Sequence, residues 1–393
     1  MQTLIRLSER LKKLLRLMNQ IYLDYNATTP VSSEVMEAMH PYFSTNYGNP
    51  SSSHSAGQKA LRAMDLARTQ VASLLEAKVD EIIFTGSGTE ANNIALIGIA
   101  NKFKGKGNHI ITSSAEHSSV YNTCKHLESC GFELTYLPVD SNGIVSCEDL
   151  KTSITDKTIL ISVILANNET GVIQNIKEFA AIAGEHRIVF HTDAVQAAGK
   201  IALDVSELGA DMMSISAHKI YGPKGVGALF IRRGLSLSTL IHGGGQERKL
   251  RSGTENVPAI VGFGKACEVA KLNLTLNSAR LSQIKNLLEK EILSRIKGSK
   301  INGVGAPRVS NTTNISFVGT ESETLLVKLD LNGIFVSSGS ACGAASLEPS
   351  RTLKAMGLTE VQQHSALRFS VGLQTTSQDI DFTVETLKKL SNQ

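Results

Sequence analysis

Short apolar runs alternate with helical patterns along most of the chain. The runs 81–85 (EIIFT), 109–113 (HIITS), 132–138 (FELTYLP), 158–165 (TILISVIL), 187–191 (RIVFH), 212–216 (MMSIS) and 226–232 (VGALFIR) are rich in β-forming residues. Several are apolar throughout, which suits strands buried on both faces. Helical patterns lie between them over 90–103, 117–129 and 174–185. Such alternation predicts an α/β fold with a mainly parallel, seven-stranded sheet. Residues 265–297 read as one long helix that bridges to a second unit, with Leu274, Leu281, Leu287, Leu288 and Leu293 along it. Beyond it the pattern is smaller in scale: strand 313–317, helix 322–331, strand 334–337, a Gly/Ser loop, strand 366–370 and helix 377–391. The expected organisation is a basic extension over 1–20, a large domain over 21–264 and a smaller α+β domain over 265–393.

In residues 1–20, Leu4, Leu7, Leu11, Leu14, Leu15 and Met18 form one helical stripe. Charges interrupt the segment and no small-residue cleavage site follows, so it is not read as a secretory signal. It is expected to be a solvated extension, with Met18 as an alternative start; a presequence or surface-binding helix is the other reading. The formal net charge of the chain is +4. Arg6, Arg10, Lys12, Lys13 and Arg16 against Glu9 account for all of it. The remainder is balanced, which argues against a basic nucleic-acid groove. A hydrophobic content of 41% supports a sizeable core, and no apolar stretch approaches the ~20 residues of a membrane span. The cysteines are Cys124, Cys130, Cys147, Cys267 and Cys342. An odd number without a CxxC pair points away from disulfides and structural zinc and toward a reducing cytoplasm.

Five stretches carry candidate chemistry. In SISAHKIYGPKG (214–225), Lys219 follows a strand end in a Gly/Pro turn, where ligands of open α/β sheets bind. It is either a surface turn lysine or a Schiff-base nucleophile, with Ser216 and His218 placed to hold a phosphate. In IVFHTDAVQ (188–196), Asp193 is either a helix N-cap or the ionised partner of a pyridinium nitrogen, with Gln196 three residues on. TGSGTE (85–90) is a strand–Gly–helix turn that suits an anion at a helix N-terminus, without P-loop spacing. In SSGSACGAAS (337–346), Cys342 sits in a small-residue loop that implies a mobile, reactive thiol, whereas Cys124, Cys130, Cys147 and Cys267 are expected to be packing residues. Arg368, in ALRFS (366–370), is either a salt-bridged edge residue or a bidentate partner for a carboxylate. His117 and Asn168 carry little weight alone.

Together, YLDYNATTP (22–30), YGNPSSSHSAG (47–57), TGSGTEANN (85–93), NNETGVIQ (167–174), HTDAVQAAGK (191–200), SAHKIYGPKG (216–225), RSGTENV (251–257) and SSGSACGAASLEPS (337–350) resemble, in order, the cysteine desulfurases of the NifS/IscS type within the fold-type I pyridoxal-phosphate transferases. The resemblance covers all but the first twenty residues. It implies a large domain that binds pyridoxal 5'-phosphate and a small domain that carries the mobile cysteine loop. Lys219 would hold the cofactor as a Schiff base. Asp193 would pair with the ring nitrogen, Gln196 and Asn168 with the ring oxygen or substrate. His117 would stack on the ring and move protons. Gly88, Thr89, Ser216 and His218 would bind the phosphate, with Thr254 reaching the phosphate of a neighbouring subunit in a homodimer. Arg368 would take the substrate carboxylate, and Cys342 would accept sulfur from L-cysteine as a persulfide. An iron–sulfur scaffold protein and a tRNA-thiolation relay are the implied acceptors. No metal site of the chain's own is expected, although the Cys342 loop is placed to meet a cluster on such a scaffold. One departure is Gly372-Leu373, where members often carry Gly-Arg. A selenocysteine lyase or another lyase of the same fold is the alternative activity.

Overall fold

The computed structural model describes residues 20–338 and 350–391. Seven strands form the main sheet: β1 (Ile82–Thr85), β2 (His109–Ser113), β3 (Glu133–Leu137), β4 (Thr158–Ser162), β5 (Val189–Asp193), β6 (Met212–Ser216) and β7 (Gly227–Ile231). Their spatial order is β1-β7-β6-β5-β4-β2-β3. Only β7 runs antiparallel to its neighbours; the others share one direction. All seven lie within or close to the runs expected from the sequence, with β5 two residues later than its run. The apolar runs are explained by burial on both faces. Phe84, Ile111, Ile161, Phe190 and Met213 pack into one core, while Ile83, Ile110, Leu160, Met212 and Leu229 pack into another. Residues adjacent in sequence thus serve opposite layers, as strand alternation requires. Truncating a side chain as buried as Phe190 to alanine costs about 3–5 kcal/mol.

Helices α1 (Ser55–Leu74), α2 (Gly88–Phe103), α3 (Ser118–Ser129) and α4 (Ile176–Glu185) cover the sheet. The expected single helix over 265–297 is two: α5 (Val257–Leu272) and α6 (Leu274–Arg295). They part at Asn273, whose side chain donates back to the Val269 carbonyl at 3.0 Å. The break has a packing cause. α5 buries Val257, Ile260, Phe263 and Cys267 in the core of the main sheet, whereas α6 buries Leu281, Leu288 and Ile292 in a separate C-terminal core. One straight helix does not present both stripes to two differently placed cores.

The C-terminal core is built on a three-stranded antiparallel sheet, in which β9 (Thr312–Phe317) lies between β8 (Ser299–Ile301) and β11 (Ala366–Ser370). Helices α7 (Ser322–Leu331) and α8 (Ser377–Ser391) flank it. Ile21 and Tyr22 pair in parallel with β10 (Ile334–Phe335), and Ile21 and Leu23 are buried in this core. The segment 21–24 therefore packs with the C-terminal unit, across the boundary that the sequence placed at 264. The same segment then leads Asn26–Thr29 to the turn after β6, where the Thr29 N–H donates to the His218 carbonyl.

Candidate active site

β1, β2, β4, β5 and β6 all end on one side of the sheet, and these strand ends and the segments that follow them carry Gly88, His117, Asn168, Asp193 and Lys219. This is the ligand-binding edge of an open α/β sheet. β6 runs into a single 3-10 turn, Ala217–Lys219. Tyr221 then takes a left-handed conformation (φ 63°), and its backbone N–H is held by Thr29 Oγ1 at 2.8 Å. Thr29 also donates to the His218 carbonyl at 3.0 Å from its own N–H. These bonds clamp the turn so that Lys219 Nζ donates to the carbonyls of Asn26 (2.5 Å) and Ala27 (2.8 Å).

Asp193 is 2% exposed. Its Oδ2 accepts from Asn92 Nδ2 at 2.7 Å and its Oδ1 from the Val195 N–H at 3.0 Å. One oxygen serves the turn after β5, which is not a helix, and the carboxylate is buried at the strand end. Gln196 donates to the Asn26 carbonyl (3.0 Å) and accepts from Lys200 Nζ (2.7 Å). His117 caps α3, its Nδ1 accepting from the Ser119 N–H at 3.2 Å.

The phosphate end has its own signature. Ser87 Oγ caps α2 by accepting from the Glu90 N–H, which turns the free N–H groups of Gly88 and Thr89 outward. A Cβ on Gly88 would lie 2.7 Å from Val195 Cγ2 and 3.4 Å from Ser216 Cβ. Beside it, Ser216 Oγ is buried and has no hydrogen-bond partner among the described residues. A buried orphan hydroxyl next to a helix N-terminus is what an anion binder requires. His218 bonds Thr28 Oγ1 through Nδ1 at 3.2 Å. Burial, helped by the Lys219 and Lys224 charges, pushes its imidazole down to about 4.

Arg368 is 2% exposed. The salt-bridged reading is the one seen: Nη2 pairs with Asp24 Oδ1 at 2.6 Å and Nη1 donates to the Asn168 carbonyl at 3.1 Å, while Nε is buried without a partner among the described residues. The guanidinium therefore keeps unused donors for a carboxylate. Thr89 and Thr254 are exposed; the Thr254 segment is tied to α2 by Arg251, which donates to Glu90 at 2.8 Å. Cys342 lies outside the described residues, as does the 1–19 segment. Of the cysteines expected to pack, Cys124 and Cys267 are buried. Cys130 is not: it is exposed at the end of α3, 3.7 Å from His126 Nε2. Cys147 is half-buried and donates to Glu178.

Four residues in this region had no sequence signal of their own. Asn26 accepts from Lys200 and Asn311 at Oδ1 and donates through Nδ2 to Thr312 and the Asn168 carbonyl. Lys200 is 6% exposed, and burial together with the Lys219 and Arg368 charges holds its amine well below the usual lysine range. Asn92 bridges Asp193 and Ser119. Glu116 is buried beside His117, its carboxyl pushed up to about 8 chiefly by desolvation. The signal that could have marked Asn26 and Lys200 was their place inside the DYNATTP and HTDAVQAAGK motifs.

The geometry has matches among known proteins. The family model for aminotransferase class-V matches residues 21–382. The chain belongs to that family. Among curated members, the cysteine desulfurase IscS of Clostridium botulinum (strain Hall) is 50% identical over 376 residues, covering 95% of each chain. That of Methanosarcina thermophila is 48% identical, covering 94% of this chain and 91% of its own. Among solved class-V structures, a NifS-like protein superposes with a TM-score of 0.90 at 36% identity, covering 95% of this chain and all of the other. The SspA protein in complex with cysteine superposes at 0.81 with 39% identity, covering 90% and 99%. The class-V fold is that of the fold-type I pyridoxal-phosphate enzymes, the architecture expected from the motifs.

Proposed function

We propose that this chain is a pyridoxal 5'-phosphate-dependent cysteine desulfurase, converting L-cysteine to L-alanine with a persulfide on Cys342. The observation that carries the reading is one strand edge joining a buried carboxylate (Asp193), a lysine in a clamped turn (Lys219) and an orphan hydroxyl at a helix N-terminus (Ser216). Those groups fit the ring nitrogen, aldehyde and phosphate of that cofactor. Gly88, Thr89, Ser216 and His218 would hold the phosphate, Asp193 the ring nitrogen, and Gln196 and Asn168 the ring oxygen or the substrate. When bound, the cofactor supplies an electron sink next to the substrate Cα.

The chain's own residues do the rest. Arg368 fixes the substrate carboxylate through its free donors. Lys219, released by the substrate amine, takes the Cα proton. The thiolate of Cys342 attacks the substrate sulfur. A sulfur–sulfur bond forms, the bond from sulfur to Cβ breaks with its electron pair left on the substrate, and a proton delivered to Cβ and the proton returned to Cα by Lys219 complete alanine.

Supply of sulfur to an iron–sulfur scaffold protein, and to tRNA thiolation, extends this reading; the desulfurase names of its relatives support it. A homodimer, with Thr254 reaching the partner's phosphate site, is supported by the exposure of Thr254 and of Phe43 and Tyr47. A cytoplasmic setting is supported by the unpaired cysteines. Among the described residues no helix is long and apolar enough to cross a membrane. The test is alanine formation from L-cysteine by the wild-type chain and by Lys219→Ala. A yellow, alanine-forming wild type beside a colourless, inactive variant supports the reading; a wild type that forms no alanine with added pyridoxal phosphate refutes it.

A further inference from the structure

A chain of hydrogen bonds runs from Asp193 to His117, and the chemistry of its members fixes its direction. Asn92 Nδ2 lies 2.7 Å from Asp193 Oδ2. An ionised carboxylate only accepts, so the amide nitrogen and not its oxygen must face it. The same nitrogen lies 2.8 Å from Ser119 Oγ, so the serine oxygen is an acceptor there. Ser119 Oγ is in turn 2.7 Å from His117 Nδ1, and the hydrogen left to it points at that nitrogen. A second donor agrees: the Ser119 backbone N–H meets Nδ1 at 3.2 Å. Two donors on one ring nitrogen require its lone pair. The other Asn92 atom, Oδ1, is buried without a partner among the described residues, as expected if the amide is held by its two N–H groups alone.

We propose that Asn92 and Ser119 are positioning residues that hold His117 neutral with its proton on Nε2, making it a hydrogen-bond donor in the reaction rather than the base that takes the Cα proton. That base is then Lys219. The helix cap and the chemistry share one cause, because the nitrogen that caps α3 is unavailable for proton transfer. The two N–H groups of Asn92 join Asp193 to Ser119 and, through it, to the His117 ring, so one buried amide organises both sides of the cofactor site. The proposal rests on the desulfurase reading for the role of His117, though not for its tautomer.

The experiment is nitrogen NMR of the cofactor-loaded chain with labelled histidine. The His117 signals are assigned by their loss in His117→Gln. Wild type is expected to show a protonated Nε2 and an unprotonated Nδ1 at the pH of the activity assay. Ser119→Ala and Asn92→Ala are expected to show an exchange-averaged ring, with the other tautomer in about a tenth of molecules. Ser119→Thr, which keeps the hydroxyl, restores the wild-type pattern. In parallel, kcat of Ser119→Ala falls about tenfold with KM for L-cysteine little changed. A wild-type ring protonated on Nδ1, or variant spectra identical to wild type, overturns the proposal. Should Asn92→Ala fail to fold, Ser119→Ala and Ser119→Thr decide alone. A chain that forms no alanine overturns the functional reading instead and leaves the tautomer measurement to stand or fall separately.

Discussion

The carbonyl oxygen of Asn26 lies 2.5 Å from Lys219 Nζ. The two residues are far apart in sequence and belong to different packing units, one entering from the C-terminal core and the other ending the 3-10 turn after β6. The same asparagine anchors Lys200, Asn311 and Thr312 through its side chain. The unit that carries the expected sulfur acceptor is thereby fastened to the lysine at the centre of the site.

Asn26→Ala removes those side-chain anchors while leaving the carbonyl. Buried donors on Lys200 and Asn311 lose an acceptor, at about 1–3 kcal/mol for each group left unpaired. The expected outcome is a urea midpoint lowered to match and weaker retention of pyridoxal phosphate on dialysis. Unchanged stability and retention would show that Asn26 is a bystander.

Arg368 and Asp24 test the substrate end. Arg368→Lys keeps a charge but loses the planar fork, so KM for L-cysteine should rise tenfold or more, about 1.4 kcal/mol, with a smaller change in kcat. Asp24→Asn leaves the guanidinium buried beside a neutral amide and should cost about 3–5 kcal/mol of stability. Equal KM values for wild type and Arg368→Lys would remove Arg368 from the substrate site.

Glu116 gives a pH signature with a definite sign. Its folded carboxyl titrates near 8 against an ordinary value of 4.5. Between those limits the folded chain holds a proton that the unfolded chain has released. The unfolded state binds fewer protons, so this group's contribution to stability is lost as pH rises through the window. Glu116→Gln has no such titration. Relative to the variant, wild type should lose on the order of 3 kcal/mol between about pH 5 and 8. Parallel unfolding curves across that range would mean that Glu116 is ionised in the folded chain.

Much of this site was legible because its chemistry sits at strand ends. β6 and the turn after it follow directly from MMSIS running into a Gly/Pro segment, and Lys219 stands where such a turn presents a side chain. Asp193 was ambiguous because a carboxylate at a strand end can accept from the following turn, as its Oδ1 does from Val195, whatever else its other oxygen meets. Asn26, Asn92 and Lys200 were illegible individually. Apart from Gln196, four residues from Lys200, the partners of these side chains lie 27 to 286 residues away, and no local period encodes such pairings. The helix break at Asn273 was hidden because the leucine pattern continues through it; what ends α5 is the change of core. Cys130 was misjudged because the lack of a small-residue loop like that around Cys342 does not imply burial: it follows the last turn of α3 and faces solvent.

The exposure of Cys130 bears on the measurement that tests the central claim most directly. The chain is incubated with L-cysteine and pyridoxal phosphate, alanine is quantified, and the peptides that contain Cys130 and Cys342 are weighed separately by mass spectrometry. The account predicts one added sulfur on Cys342, none on Cys130, alanine in matching amount, and neither product from Cys342→Ala beyond a background rate. Sulfur carried equally by the Cys342→Ala chain, or alanine formed with Cys342 left unmodified, would contradict it.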